Sequence, residues 1–171
     1  MNLRMDPIVF TRFIEQSLSD QEHYDHPFSR ALKADGFQLS EKRHAEDRGA
    51  LFMGLCFQRG NTEFVYRFPN PESLIIANYR LIRKHAGLIN PFRDLIWFVE
   101  FLKNRKTGMR RVLGTVRQMA PEGLTAERIG LFYSRYFEVF IVKDKYDQDW
   151  VFLDLEVYRP LRSSRRRSPR R

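Results

Sequence analysis

Apolar residues near the start of the chain recur with the spacing of a helix. They follow Asp6-Pro7, an N-cap acid and a proline at the first helical position. The pattern predicts an amphipathic helix over residues 6–19. The polar stretch 20–26 is interpreted as a loop, and 27–36 as a short second helix that ends at its glycine.

Alternating and aromatic residues in the next segment predict a sheet. Turn-forming Asp, Asn and Gly residues separate three antiparallel strands near 37–44, 50–58 and 62–68. The segment 74–83 fits the helical and the strand period. Its β-branched and aromatic residues favour a strand.

The second half of the chain contains two clear helix starts. Asn90 can cap a helix that has Pro91 at its first position, and Thr125 can cap another. The apolar face of the second helix consists of Ile129, Phe132, Tyr133 and Tyr136. Residues 110–119 are predicted to form a strand, and 138–158 a hairpin with its loop at 144–149. The expected fold is α+β: an antiparallel sheet with an N-terminal helix and two further helices packed on it.

The positive charge of the chain is concentrated at its C-terminal end. The chain has 171 residues and a formal charge of +9, and seven of its arginines lie in residues 159–171, which contain no acid. Residues 1–160 are long enough for one domain with its own core, whereas the Arg, Ser and Pro composition of 161–171 predicts a disordered tail. No apolar run approaches the ~20 residues that cross a bilayer, so we expect no membrane insertion and a cytoplasmic location.

Residues with reactive or metal-binding side chains form no convincing active site. His23 and His26 alone are too few for a structural metal site, and an exposed polar loop is the simpler interpretation. The acids of 144–149 lack the glycine and closing glutamate of a calcium loop. Cys56 lies in an apolar strand, which favours packing over catalysis and allows no internal disulfide. The sequence predicts no catalytic residue, no metal and no cofactor.

Two segments are candidates for binding a partner. On the helix after Thr125, the apolar face leaves Arg128, Leu131 and Arg135 on the other side or its flanks, a composition typical of interface anchors. The alternative is that both arginines are solvated or pair with Glu127 and Glu138. The tail suggests a second function, nucleic-acid binding through phosphate contacts, although it has no aromatic residue to stack on bases. The tail arginines concerned are Arg162, Arg165, Arg166, Arg167, Arg170 and Arg171.

Two motifs, in this order and with a strand between them, resemble the low-calcium-response protein R (LcrR) family of bacterial type III secretion regulators and chaperones. The first is Gly-Leu-x-Asn-Pro-Phe, and the second is Leu-Thr-x-x-Arg-x-x-x-Phe-Tyr-x-Arg. Their distinctive positions in this chain are Asn90, Pro91, Phe92, Leu124, Thr125, Phe132 and Tyr133. The likeness is best over residues 87–158, and the first 36 residues and the tail have no counterpart in it.

The resemblance implies a cytosolic, non-enzymatic protein that regulates or chaperones another type III secretion component, either a secreted substrate or a regulator. The sequence is also compatible with a homodimer. A nucleic-acid-binding regulator that uses the tail is the alternative function.

Overall fold

The computed structural model describes residues 4–46, 49–83, 93–119 and 125–158 of the chain. In these ranges the chain forms an α+β fold with seven strands in one sheet and six helices. The helices are α1 (Pro7–Glu15), α2 (Asp20–Asp25), α3 (Pro27–Ala34), α4 (Arg93–Asn104), α5 (Val116–Met119) and α6 (Ala126–Tyr133). The strands are β1 (Ser40–Glu46), β2 (Gly49–Arg59), β3 (Thr62–Asn70), β4 (Ser73–Leu81), β5 (Arg111–Thr115), β6 (Phe137–Lys143) and β7 (Asp149–Tyr158).

The strand order is β1-β2-β3-β4-β5-β7-β6. Strands β1 to β4 form an antiparallel meander, and β6 and β7 form the expected hairpin. The segment that fitted both periods is the strand β4, as its composition favoured. One pair, β4 with β5, is parallel. The connection between these strands includes α4 and returns the chain to the end of the sheet at which β4 begins. An antiparallel sheet was expected, and the observed sheet is antiparallel except for this one pair.

One face of the sheet is covered by α3, α4, α5 and α6, and it contains the larger apolar core. Aromatic rings dominate this core. Phe98 of α4 stacks on Phe57 and Phe64 of the sheet with ring centroids 6.1 and 5.0 Å apart. The helix α4, whose predicted start at Asn90 lies outside the described residues, is thus central to this core, although Ile96 and Trp97 are only partly buried.

The opposite face of the sheet carries a smaller core under α1. Phe10 and Ile14 of this helix pack on a cluster that includes Leu113 and Trp150. Arg67 of β3 donates hydrogen bonds to the backbone oxygens of Ile14 and Gln16 and so satisfies the end of α1. The N-terminal helix consequently lies alone on its side of the sheet within the described residues.

Several predicted boundaries are wrong. The helix α1 ends at Glu15, and the polar stretch expected to be a loop forms α2, because Ser19 and Glu22 build a complete capping box around its first turn. The strand expected over 110–119 stops at Thr115, after which the chain turns into α5. The Gln118 side chain accepts from the Thr115 backbone and hydroxyl and fixes that turn. Among the described residues, five helices accompany the N-terminal one, whereas the short helix over 27–36 and two helices packed on the sheet were expected.

Candidate functional site

The helix α6 begins where the sequence indicates. The Thr125 hydroxyl accepts a hydrogen bond from the backbone N–H of Arg128 at 3.3 Å, which is the expected N-cap. Ile129 and Tyr133 are fully buried against the sheet, and Phe132 is partly buried. The residues shared with the second family motif therefore serve in large part to seat this helix.

The other side of α6 is exposed. The Leu131 side chain is 64% exposed, the second most exposed large apolar residue among those described. Arg128 and Arg135 are also exposed, and neither forms an ion pair with Glu127, Glu138 or any other described residue. The helix thus presents an apolar group between two arginines whose charges are not neutralised by described neighbours.

An open groove of about 810 Å³ runs beside this surface. One wall is α6 with its cap residue Thr125, and the floor is β6. Met5, which precedes α1, and Asp149 of β7 complete the lining. The main lining side chains are Met5, Glu127, Leu131, Val139, Ile141 and Lys143. Gly130 also lines it, and a β-carbon added there would lie 3.5 Å from Ile141 Cδ1, so α6 lies close to β6 at this point. Leu131 belongs to the groove, whereas Arg128 and Arg135 lie outside its lining.

The groove opens at the edge of the sheet. Val139 and Ile141 pack with the larger core on one face, whereas Met5 packs with the smaller core on the opposite face. The groove therefore reaches both faces of the sheet beside β6, which has β7 as its one strand neighbour among the described residues. The candidate site is therefore a cleft along an edge strand, walled by a helix on one side and by the N-terminal segment on the other.

The loop between β6 and β7 holds this end of the cleft in place. The buried Asp144 carboxylate accepts hydrogen bonds from the backbone of Tyr146 and Gln148 and from the Trp150 indole, at 2.9 to 3.0 Å. Burial by itself raises the pKa of Asp144, but the hydrogen bonds from Trp150, Gln148 and Tyr146 outweigh it, and the pKa lies below its ordinary value. The acids of this loop thus organise a turn.

The two histidines considered as metal ligands have a structural role, and the expectation that they lie in an exposed loop is wrong. The His23 Nδ1–H donates to the Ser19 oxygen, and Nε2 accepts from the Phe68 backbone. His26 Nε2–H donates to the Pro71 oxygen, and Nδ1 accepts from the Phe28 backbone. Both side chains are buried, and burial lowers the pKa of each below its ordinary value. Each ring therefore fits in its neutral form. His23 joins α2 to β3, and His26 joins the start of α3 to the turn between β3 and β4.

The other candidates for chemistry can be placed as follows. Cys56 is half-buried, and burial raises the pKa of its thiol, which opposes nucleophilic reactivity. No group of three or more His, Cys, Asp or Glu side chains within the described ranges is arranged to hold a metal ion. Outside the described residues lie Asn90, Pro91, Phe92 and Leu124 of the family motifs and the tail arginines Arg162, Arg165, Arg166, Arg167, Arg170 and Arg171.

Sequence reasoning missed most of the cleft. It singled out Leu131, but the participation of Met5, Gly130 and Ile141 follows from the tertiary placement of three segments. The one local signal is Gly130, a glycine within a helical pattern, which often has a packing or functional reason.

Comparison with known proteins gives one match. The sequence profile of the family described as "Type III secretion system regulator (LcrR)" matches residues 26–167. No curated protein and no solved structure matches the chain. Among the described helices, none is long and apolar enough to cross a membrane.

The match covers most of the chain and agrees with the family indicated by the two motifs. It also takes in residues 26–36 and most of the tail, for which the motifs offered no counterpart. The chain therefore belongs to the LcrR family of type III secretion system regulators.

Proposed function

We propose that this regulator is a cytoplasmic, non-enzymatic binding module, and that it regulates or chaperones another type III secretion protein by holding it at the cleft beside α6. The observation that carries the proposal is the exposed Leu131, set in the cleft wall and flanked along the helix by Arg128 and Arg135 without described ion-pair partners. A guanidinium loses less hydration than an ammonium on burial and pairs well with carboxylates, so this composition suits a protein interface.

The proposal is tested by affinity purification of the full-length protein from the cytosol of secreting cells, followed by mass spectrometry. Leu131→Asp and the double variant Arg128→Glu/Arg135→Glu should each abolish recovery of the secretion partner. Both changes lie on exposed positions, so circular dichroism and the melting temperature should stay close to wild type.

Matched controls come from elsewhere on the surface. Leu51 is 57% exposed, and Leu51→Asp makes the same chemical change on β2. Arg30→Glu/Arg83→Glu makes the same charge change on α3 and after β4. Recovery of the partner by the cleft variants, or its loss in the controls, would show that α6 is not the binding surface.

The tail supports a second candidate function. Seven arginines in residues 159–171 can neutralise phosphates, and such binding weakens steeply with salt. Deletion of residues 162–171 should then abolish binding to DNA or RNA and remove most of its salt dependence. If regulation in cells is lost together with nucleic-acid affinity in this deletion, the tail rather than the cleft carries the function.

A further inference from the structure

The backbone of β6 shows which of its peptide groups face the cleft. Asp144 donates its N–H to the Gln148 oxygen at 3.1 Å, which makes residues 144 and 148 a hydrogen-bonded pair. Hydrogen-bonded and non-hydrogen-bonded pairs alternate along an antiparallel ladder. Counting back through the β6–β7 register, the non-hydrogen-bonded members of β6 are Lys143, Ile141 and Val139.

A second bond confirms this phase from the other side of β7. Leu155 donates its N–H to the Arg110 oxygen at 2.8 Å, so the odd-numbered residues of β7 bond toward β5 and the even-numbered ones toward β6. The N–H and C=O groups of Val139, Ile141 and Lys143 therefore point away from β7, toward the outer side of β6. The side chains of the same three residues line the cleft.

From this arrangement we infer that the partner binds by strand addition: an extended segment, aliphatic at alternate positions and carrying acidic side chains, pairs with the outer edge of β6 beneath α6. This inference rests on the proposed function and specifies its mode of binding. Val139, Ile141 and Lys143 each direct an N–H and a C=O outward, and these groups can pair with a segment of about five to seven residues.

The walls of the cleft determine the side chains that fit. Every second side chain of an added strand lies on the same sheet face as Val139 and Ile141, next to Leu131 and Gly130. Aliphatic groups suit those positions. Arg128 and Arg135 provide positive charge on the outer flank of α6, whereas Lys143 is already paired with Asp147 and Asp149 at 3.1 and 3.2 Å. Glu127 and Asp149 contribute carboxylates to the cleft lining itself, so acidic side chains are favoured only where the segment passes Arg128 and Arg135, at the outer flank of α6.

A random dodecapeptide library displayed on phage, selected against the full-length protein, provides the probe. The selected peptides should alternate aliphatic and other residues with period two and contain acids. A selected peptide, made synthetically, should lose affinity at least ten-fold toward Ile141→Pro, which removes one outward N–H, and toward Gly130→Leu, which fills the cleft. Leu51→Asp should bind it as wild type does.

Because a proline in β6 can also disturb the fold, amide hydrogen exchange of the wild-type protein provides an independent readout. On adding the peptide, the amides of Val139, Ile141 and Lys143 should become protected, while the neighbouring Phe140 and Val142 amides, which already bond to β7, should change little. Selection of no peptide, selection of helically spaced peptides, or binding without this alternating protection overturns strand addition.

The two hypotheses fail in different ways. If Leu131→Asp loses the secretion partner while no alternating protection appears, the cleft binds a partner in another conformation and the proposed function stands. If the alternating protection appears while Leu131→Asp keeps the partner, the peptide site exists but the partner docks elsewhere.

Discussion

The two edges of the sheet have opposite chemistry. The strand β1 reads Ser-Glu-Lys-Arg-His-Ala-Glu, in which five of seven residues are charged or titratable, whereas β6 reads Phe-Glu-Val-Phe-Ile-Val-Lys, in which five of seven are apolar. Charges on an edge strand hinder its pairing with other chains. The fold therefore protects one edge and leaves the other suited to a partner.

Charged side chains near the two edges also differ in their ion pairing. Arg43 of β1 bonds Glu41 on its own strand and Asp20 of α2, at 2.8 and 2.6 Å, so charges at this edge are matched locally. Beside β6, the two arginines of α6 have no matched acid among the described residues. Charges paired at β1 and unpaired on α6 beside β6 are the pattern expected if the partner binds at the β6 edge, as proposed above.

The largest effect is expected from proline on the two kinds of β6 position. Phe140→Pro removes an N–H directed at β7 and a partly buried ring, so we expect the free energy of unfolding to fall by about 3 kcal/mol or more through the lost packing and the β7 carbonyl left without its donor. Ile141→Pro removes an outward N–H and should cost about 1–2 kcal/mol, mainly through lost packing. Urea denaturation measures both. Equal losses would mean that the assigned directions of these peptide groups are wrong.

Acid should loosen the two ends of the sheet at different pH. The pKa of His23 is lowered by burial, which outweighs the opposing effect of Ser19, Asp20 and Glu22, so the unfolded chain binds more protons below the ordinary value of 6.5. Stability from the histidines is complete above pH 6.5 and falls as the pH drops below it. His26 acts in the same direction.

The acid response near β6 comes later. Asp144 has a lowered pKa, so its contribution is complete above its ordinary value of 3.8 and is lost as the pH falls through the lower, folded value. Amide exchange at decreasing pH should show α2 and α3 opening before the β6–β7 turn. In the variant Trp97→Phe, Trp150 is the one remaining tryptophan, so its fluorescence reports on that turn. Simultaneous opening of both regions would contradict the assignment.

A smaller effect on stability, but a clear one on association, is expected when β1 is made to resemble β6. Glu41→Val/Arg43→Val removes exposed ion pairs that contribute at most about 1 kcal/mol. The loss of edge charge should nevertheless allow chains to pair through β1, seen as concentration-dependent mass in light scattering. A variant that stays at the wild-type mass at all concentrations would show that the β1 charges have no protective role.

The smallest effect is expected at Gly130. A β-carbon there would lie 3.5 Å from Ile141 Cδ1, an ordinary contact, so Gly130→Ala should raise the free energy of unfolding by about 0.5–1 kcal/mol through helix propensity. The cleft loses only one methyl group's volume, and peptide affinity should change less than five-fold. Thermal denaturation and the same peptide titration measure the two quantities. Destabilisation would mean that the helix and β6 cannot accommodate this contact.

The sequence predicted the elements whose signals are local. Thr125, Ile129 and Tyr133 specify the start and the buried face of α6, and β-branched residues were enough to assign β4 as a strand. The helix α2 was missed for lack of apolar spacing, although Ser19 and Glu22 carry the capping-box signal. The end of β5 was missed because the turn depends on the Gln118 amide, which also bonds the Ala77 oxygen of a distant strand.

The cleft was predictable in one part only. Exposure of Leu131 follows from helical periodicity, because the buried face is occupied by other residues. The neighbours of Leu131 could not be deduced, since they depend on β6 being at the edge and on Met5 arriving from the other face of the sheet. Pairing order is decided by contacts between residues far apart in sequence, which no local pattern records.

The position of β7 has a consequence for synthesis of the protein. This last strand lies between β5 and β6, so neither has this partner until residues 149–158 have left the ribosome. The N-terminal helix also lacks one of its contacts at that stage, because the Thr11 hydroxyl accepts a hydrogen bond from the backbone N–H of Lys145 in the β6–β7 hairpin. Translation at about 5–20 residues per second leaves the apolar β6 without β7 until residues 149–158 have been synthesised. A chain released before residue 149 would expose that strand, and we expect such fragments to be degraded or to aggregate instead of entering the regulatory pool.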